Sequence, residues 1–366
     1  AVSHNGNLTN TRALCNELEA AGSIFQTSMD SELLIHLLAK SDKHKDIYEN
    51  FIHALSKVKG AYSAVFLIDD ILVGARDPYG VRPLCLGKKD EGYVLSSENC
   101  VFNMMGVEFI RELKRGEVLF IDKKGDMKSI FLEKTKPAQC IFEQIYFSRP
   151  DSHIFGDSVY AQRKKLGHML AKEAPVEADM VLPIPDSGTV AALGYAEESK
   201  IPFELGIVRN HYIGRTFIQP SQFIRDFRVK IKLNPIRDLL KGKNIVLVED
   251  SIVRGTTCKN RIQTLREVGV KKIHMRVSCP PIISPCFYGI DFPTKDELIG
   301  AQQTIKEIKE FIGVDSLQYL SVDGMLHALD GNGSKFCDAC FTENYPIDVS
   351  FKSSKYILEK KNKVAL

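Results

Sequence analysis

The stretch from Asn244 to Thr257 restricts this chain more than any other. Ile245, Val246, Leu247 and Val248 form a continuous apolar run rich in β-branched side chains, the mark of a strand buried on both faces of a parallel sheet. The run stops at two carboxylates, Glu249 and Asp250. Ser251, Arg254, Gly255, Thr256 and Thr257 follow, and Ile262, Leu265 and Val268 then recur at helical spacing up to Gly269. A helix start attracts phosphate through its free N–H groups, hydroxyls add donors, and glycine lets the backbone come close. Carboxylates repel phosphate, but they suit a ribose diol or a Mg²⁺ ion that neutralises pyrophosphate. Taken together, the arrangement reads as a phosphorylated sugar held at the carboxyl edge of a sheet. Taken piece by piece, an ordinary strand-to-helix turn stays open. No G-x-x-x-x-G-K-[ST] occurs, which argues against a P-loop nucleotidase.

The 366 residues suffice for two domains with a full core each, and 44% hydrophobic with 26% charged residues is ordinary for a globular protein. A net charge of +3 selects no partner. The basic residues between Arg209 and Lys243 lack the aromatic interleaving of a nucleic-acid module, so no nucleic acid is expected. No apolar run is long enough to cross a membrane. There is no signal-peptide pattern, and the chain opens at Ala1 without a Met. Nine irregularly spaced cysteines read as reduced cytoplasmic thiols or metal ligands.

Along residues 1–134, Val2–Asn10 reads as a β segment ending in an Asn-Gly turn, followed by an amphipathic helix with Leu14 and Leu18 on one face. Thr27–Glu32 reads as the cap of a second helix carrying Leu34, Leu37 and Leu38. Ala61–Ile68, Ile71–Ala75, Tyr93–Ser97 and Glu117–Ile121 read as strands, which makes an α+β unit. Over residues 135–345 strands and helices alternate, the pattern of an α/β unit with a mainly parallel sheet. Ile141–Phe147 and Asp179–Pro185 are predicted strands; Val159–Ala171 and Thr189–Glu198 are predicted helices. Asp186, Ser187 and Gly188 form a second anion cradle or a plain helix cap. Cys337 and Cys340 make a C-x-x-C for which redox chemistry, zinc and chance all compete. Residues 346–366 are a Lys-rich tail. His4, His53, His168, His274 and His327 stand singly.

Residues 244–257 resemble the phosphoribosyl-pyrophosphate (PRPP) motif of the type I phosphoribosyltransferases, and 186–188 resemble their pyrophosphate loop. The resemblance makes Ser187 a candidate Mg²⁺ ligand beside Glu249 and Asp250. His4-Asn-Gly6, Ser28–Glu32, Arg76–Leu84 and Ser96–Glu98 follow the order and spacing of class II glutamine amidotransferase domains. That implies a four-layered N-terminal-nucleophile hydrolase fold. Asn5 and the Gly6 N–H would form the oxyanion hole, and Asp30 would hold the α-amino group of glutamine. That family's Cys nucleophile and upstream Arg have no counterpart here, and Cys15, Cys85 and Cys100 read as packed thiols. The expectation is a chain without its first segment and unable to hydrolyse glutamine. Arg209 to Asn234 resembles the loop that closes over PRPP, with Arg215 and Lys232 at its phosphate-contacting, catalytic positions. Cys140, Cys286, Cys337 and Cys340 match the branch that carries a structural [4Fe–4S] cluster, with zinc as the alternative. Cys258 and Cys279 read as interior thiols.

The whole is similar to the glutamine PRPP amidotransferases of the iron–sulfur branch. That resemblance implies formation of 5-phosphoribosylamine and pyrophosphate from PRPP and glutamine-derived ammonia, the first step of de novo purine synthesis. It further implies Mg²⁺, purine-nucleotide feedback inhibitors, a homotetramer or homodimer, and a cytoplasmic location. A base-specific phosphoribosyltransferase and a PRPP-binding regulatory protein are the alternatives.

Overall fold

The computed structural model describes residues 1–40, 46–210, 233–329 and 335–349. Strand β1 (Val2–Leu8) runs straight through Asn5 and Gly6, where a turn was expected, and pairs antiparallel with β2 (Gly60–Ile68). Gly6 is needed there because its φ is +146° and a Cβ would stand 2.1 Å from the Ala61 carbonyl oxygen. Helices α1 (Thr11–Ala20), α2 (Asp30–Ala39) and α3 (Ile47–Ser56) follow β1. The expected Ser/Thr cap of α2 is absent. Instead Glu32 reaches back and accepts the N–H groups of Gln26 and Thr27 and the Thr27 hydroxyl.

Strand β2 turns into β3 (Ile71–Arg76). Next come β4 (Cys85–Lys89), β5 (Gly92–Ser96), helix α4 (Cys100–Met105), β6 (Glu108–Glu112), β7 (Glu117–Ile121) and β8 (Met127–Phe131). They form a five-stranded antiparallel sheet in the order β1-β2-β3-β7-β8 and a three-stranded one in the order β5-β4-β6. Because strand side chains alternate between faces, Val118 and Phe120 of β7 join α1–α3, while Leu119 and Ile121 meet Leu86 and Leu113 beside the second sheet. Phe102 of α4 covers the far side through Cys85 and Val107. The layers run helix, sheet, sheet, helix, as expected.

The later strands are β9 (Gln139–Cys140), the hairpin β10 (His153–Ile154) and β11 (Asp157–Ser158), β12 (Met180–Pro183), the pair β13 (Ile207–Arg209) and β14 (Leu233–Pro235), β15 (Asn244–Glu249), β16 (Lys272–Val277), β17 (Ser316–Tyr319) and β18 (Phe336–Cys337). A parallel sheet runs in the order β12-β15-β16-β17, and Ile245 to Val248 are fully buried at its centre. The expected strand at Ile141–Phe147 is a π-helix over Glu143–Phe147. Tertiary contacts override its β-prone composition: the Glu143 carboxylate meets Arg82, and Arg163 donates to the carbonyls of Gln144 and Ser148. Ala61 and Val81 of the first unit share a core with Cys140, Ile141 and Ile145, so the two units meet across a common apolar core.

Helices α5 (Val159–Glu173) and α6 (Thr189–Ser199) touch backbone to backbone. A Cβ at Gly167 would lie 1.9 Å from the Ala191 oxygen. Gly167→Ala is therefore expected to destabilise the fold by about 1–3 kcal/mol, read as a lower urea midpoint at unchanged slope. An unaltered midpoint would show that the helices separate freely.

Candidate active site

Strands β12 and β15 run parallel with Pro183 opposite Val248, so the two loops predicted to hold anions leave the sheet side by side. Ser187, Glu249 to Cys258 and Arg261 line a cavity of about 530 Å³. Phe142, Tyr146 and Phe147 form another part of its wall, and Ile290 to Pro293 a third. The Ser187 hydroxyl donates to Glu249 Oε1 at 3.4 Å, and Arg261 Nη1 donates to Glu249 Oε2 at 2.8 Å. Asp250 Oδ2 accepts from the Ser251 hydroxyl at 2.5 Å. Each carboxylate is only 4% exposed. Burial, reinforced by the Asp250 charge, pushes the Glu249 carboxyl well above its usual range, and Arg261 works against that shift.

The two acids are thus unequal. Glu249 is held by Arg261 through a salt bridge and by Ser187, while Asp250 takes the Ser251 hydroxyl, shares a hydrogen bond with Glu249 and has no salt bridge among the described residues. Thr256 and Thr257 open a helix, α7 (Thr256–Glu267), after Gly255 at φ +76°. Its first-turn N–H groups have no intrahelical acceptors and border the cavity. Gly188 lies against the end of β15, where a Cβ would come 2.4 Å from the Val248 oxygen. Asp186 is exposed and paired with Arg209, and Arg254 pairs with Glu297 at 3.3 Å. Arg215 and Lys232 lie outside the described residues.

On the first unit, Asn5 Nδ2 donates to the Ser97 hydroxyl at 3.0 Å. Asp30 accepts the Leu8 N–H at 3.0 Å through Oδ2, and its Oδ1 meets His4 Nδ1 at 3.1 Å. Burial works to raise the Asp30 carboxyl, but the His4 contact and the backbone donor outweigh it and hold it below its usual range. Asn7 Nδ2 donates to the Phe287 carbonyl at 2.9 Å, and Gly289 packs on the Gly6 backbone. The Asn5–Gly6 strand is thereby braced on the segment that continues into the cavity wall at Ile290–Pro293.

A family model described as a glutamine amidotransferase domain matches residues 1–103. The amidophosphoribosyltransferases of Archaeoglobus fulgidus and Bacillus subtilis are 46% and 45% identical to this chain over 353 residues, which is 95% of it and 77% and 74% of their own lengths. The chain belongs to the amidophosphoribosyltransferase family. Amidophosphoribosyltransferase 1, chloroplastic, of Arabidopsis thaliana is 50% identical over 94% of the chain, and the chain spans 61% of that relative's length. The solved structure of the Bacillus subtilis glutamine PRPP amidotransferase complexed with ADP and GMP superposes with a TM-score of 0.91 at 44% identity, covering 98% of this chain and 79% of that one.

In this member of the amidophosphoribosyltransferase family the four singled-out cysteines converge from distant segments. Cys140 and Cys337 stand opposite each other in the parallel pair β9–β18. The Cys340 carbonyl accepts the N–H groups of Ile283 and Ser284, which draws in Cys286 two residues on. Burial pushes all four thiols up, Cys140 to about 12, and each of Cys140, Cys337 and Cys340 also feels the charge of at least one other member of the set. Among the described residues, no three His, Cys, Asp or Glu side chains come close enough together to hold a single metal ion. Cys258 and Cys279 are buried, as expected.

Three site residues escaped the sequence reading. Arg261 follows Glu249 by twelve positions, which a helix after a strand folds back onto it. Arg163 comes from α5, and burial lowers its guanidinium to about 10 while the Asp250 charge opposes that. His4 does not stand singly, since it faces Asp30. His168 and His274 have partners too, in Glu197 with Glu198 and in Ser316. Only the spacing of Arg261 left a signal in the sequence.

Proposed function

We propose that this chain transfers ammonia to C1 of PRPP, forming 5-phosphoribosylamine and releasing pyrophosphate, the first step of de novo purine synthesis. The observation that carries the reading is the convergence of Ser187, Glu249, Asp250 and the 251–257 turn on one cavity at the carboxyl edge of the sheet. Ser251, Arg254, Gly255, Thr256 and Thr257 grip the 5′-phosphate through hydroxyls and helix-start N–H groups. Asp186, Ser187 and Gly188 meet the pyrophosphate. Asp250, with Glu249 held beside it, faces the ribose hydroxyls and stabilises positive charge developing at C1. Arg215 and Lys232 are retained in this proposal as phosphate contacts of the closing segment.

Ser187, Glu249 and Asp250 also fit Mg²⁺, because two crowded carboxylates plus substrate oxygens are an ordinary donor set for it. When bound, Mg²⁺ supplies charge neutralisation for the leaving pyrophosphate. In the glutamine half-reaction Asn5 and Gly6 would offer the oxyanion donors and Asp30 the anchor for the α-amino group. Cys15, Cys85 and Cys100 are buried, and burial raises the Cys85 thiol to about 12, so none is suited to be the nucleophile. Ammonia supplied directly bypasses this half-reaction. Pyrophosphate release from PRPP with ammonium chloride tests the reading; turnover only with a nucleobase, or PRPP binding without turnover, would overturn it.

The four gathered thiols support a structural [4Fe–4S] cluster held by Cys140, Cys286, Cys337 and Cys340. Anaerobically purified protein is expected to show broad visible absorption and about four iron atoms per chain, lost in Cys337→Ser. Stoichiometric zinc without iron would sink that assignment. We also propose purine-nucleotide feedback, in keeping with the nucleotide-bound Bacillus relative, and a homodimer or homotetramer. A cytoplasmic location is proposed on nine free thiols. Among the described residues no helix is long and apolar enough to cross a membrane.

A further inference from the structure

A second cavity, of about 580 Å³, shares no lining residue with the first and lies where residues 76–80, 109–115 and 131–134 meet 139, 153 and 156. Five cationic side chains line it against a single carboxylate, Glu112. Three of the cations are already engaged. Arg76 donates to the carbonyls of Gly80, Arg82 and Leu113. Arg111 is bidentate on Glu117, and Arg115 donates to the Thr135 carbonyl. Glu112 is taken as well, lying 3.7 Å from Arg76 and accepting the Gly156 N–H. Lys114 and Lys134 remain, and their ammonium groups have no partner among the described residues.

Apolar wall completes the cleft. Phe109 is 40% exposed and Phe131 48% exposed, so both rings are open to an entering ligand. A metal ion is disfavoured, because the one carboxylate is spent on Arg76. Lys114 and Lys134 are exposed, so an anion gains two charge-assisted contacts there that an uncharged ligand would not. The volume is that of a site for a small organic molecule. We propose that this cleft binds a polyphosphorylated anion, with Lys114 and Lys134 on the phosphates and Phe109 and Phe131 against an attached aromatic base. Charge-assisted contacts provide the attraction, and stacking adds a preference for a nucleotide over the bare polyphosphate.

The test is calorimetric titration of the full chain with sodium tripolyphosphate and, separately, with ATP. Both are expected to bind, ATP more tightly, and both to weaken with added salt. Lys114→Glu with Lys134→Glu is expected to weaken both by roughly 25-fold, from about fivefold per exposed ion pair. Phe131→Ala should weaken ATP by on the order of tenfold and leave tripolyphosphate unchanged. Unaltered thermal melting establishes that the variants fold, independently of the proposed reaction, and ammonia-dependent turnover should be unchanged too. Failure of the wild-type chain to bind either probe at millimolar concentration, or equal affinity in the double lysine variant, overturns the proposal.

Discussion

Asp250→Asn is expected to reduce ammonia-dependent pyrophosphate release by roughly 10²–10³-fold, about 3–4 kcal/mol of transition-state stabilisation. The substitution keeps the shape and removes one charge. The Ser251 hydroxyl still finds an oxygen to donate to, and Arg163 keeps the Gln144 and Ser148 carbonyls, so the fold should tolerate it. The loss should fall mainly on kcat if the carboxylate meets charge that develops only at the transition state. Glu249→Gln is expected to cost only about tenfold, because Arg261 already shares the charge of Glu249. Equal effects of the two substitutions would refute the asymmetry. An Asp250→Asn chain within threefold of the parent would refute the site.

The largest stability effect is expected at the seam between the two units. Arg82 is fully buried, stands 3.1 Å from Glu143 and lies over the Phe147 ring at 4.3 Å. Arg82→Met would leave Glu143 buried without its counter-charge, which costs about 3–5 kcal/mol. Adding Glu143→Gln to Arg82→Met should restore most of that, since a neutral pair escapes the desolvation penalty. The pH dependence has a definite sign. Burial raises the folded-state Glu143 carboxyl above its ordinary value, and Arg82 opposes the shift. Without Arg82 the rise is larger, so the penalty is smallest at or below the unfolded value near 4.5 and grows as pH climbs through the folded value. Urea unfolding of the parent, the single and the double variant checks this; a single variant as stable as the parent, or a penalty that shrinks as pH rises, would show that the pair does not behave so.

Much of the site was legible because its residues are contiguous. Glu249 to Thr257 form one run in which strand, acid pair and helix start follow within a single turn of chain, and local spacing carried them. Arg261 left a weaker mark in its spacing and Arg163 left none, since an arginine on a helix reads equally well as a solvated charge. The thiols of Cys140, Cys286 and Cys337–Cys340 were picked out by resemblance, but spacing alone says nothing of the β9–β18 pairing that sets two of them opposite each other. Two of the misread segments, Asn5–Gly6 as a turn and Ile141–Phe147 as a strand, lie at the seam, where contacts from far along the chain outvote local preference.

Period and composition by themselves determined the α+β first unit, the alternating second unit, the buried central strand and the acidic step at its end. Those depend on side-chain alternation and backbone preferences that act within a few residues. Only the tertiary structure decided that Glu249 is salt-bridged to Arg261 while Asp250 beside it is not. It alone seated Arg82 on Glu143, laid Gly289 on Gly6, and brought Lys114 and Lys134 to a second cleft with no ammonium partner among the described residues. Charges and backbones brought together from distant positions interact through space, and no local pattern records that distance.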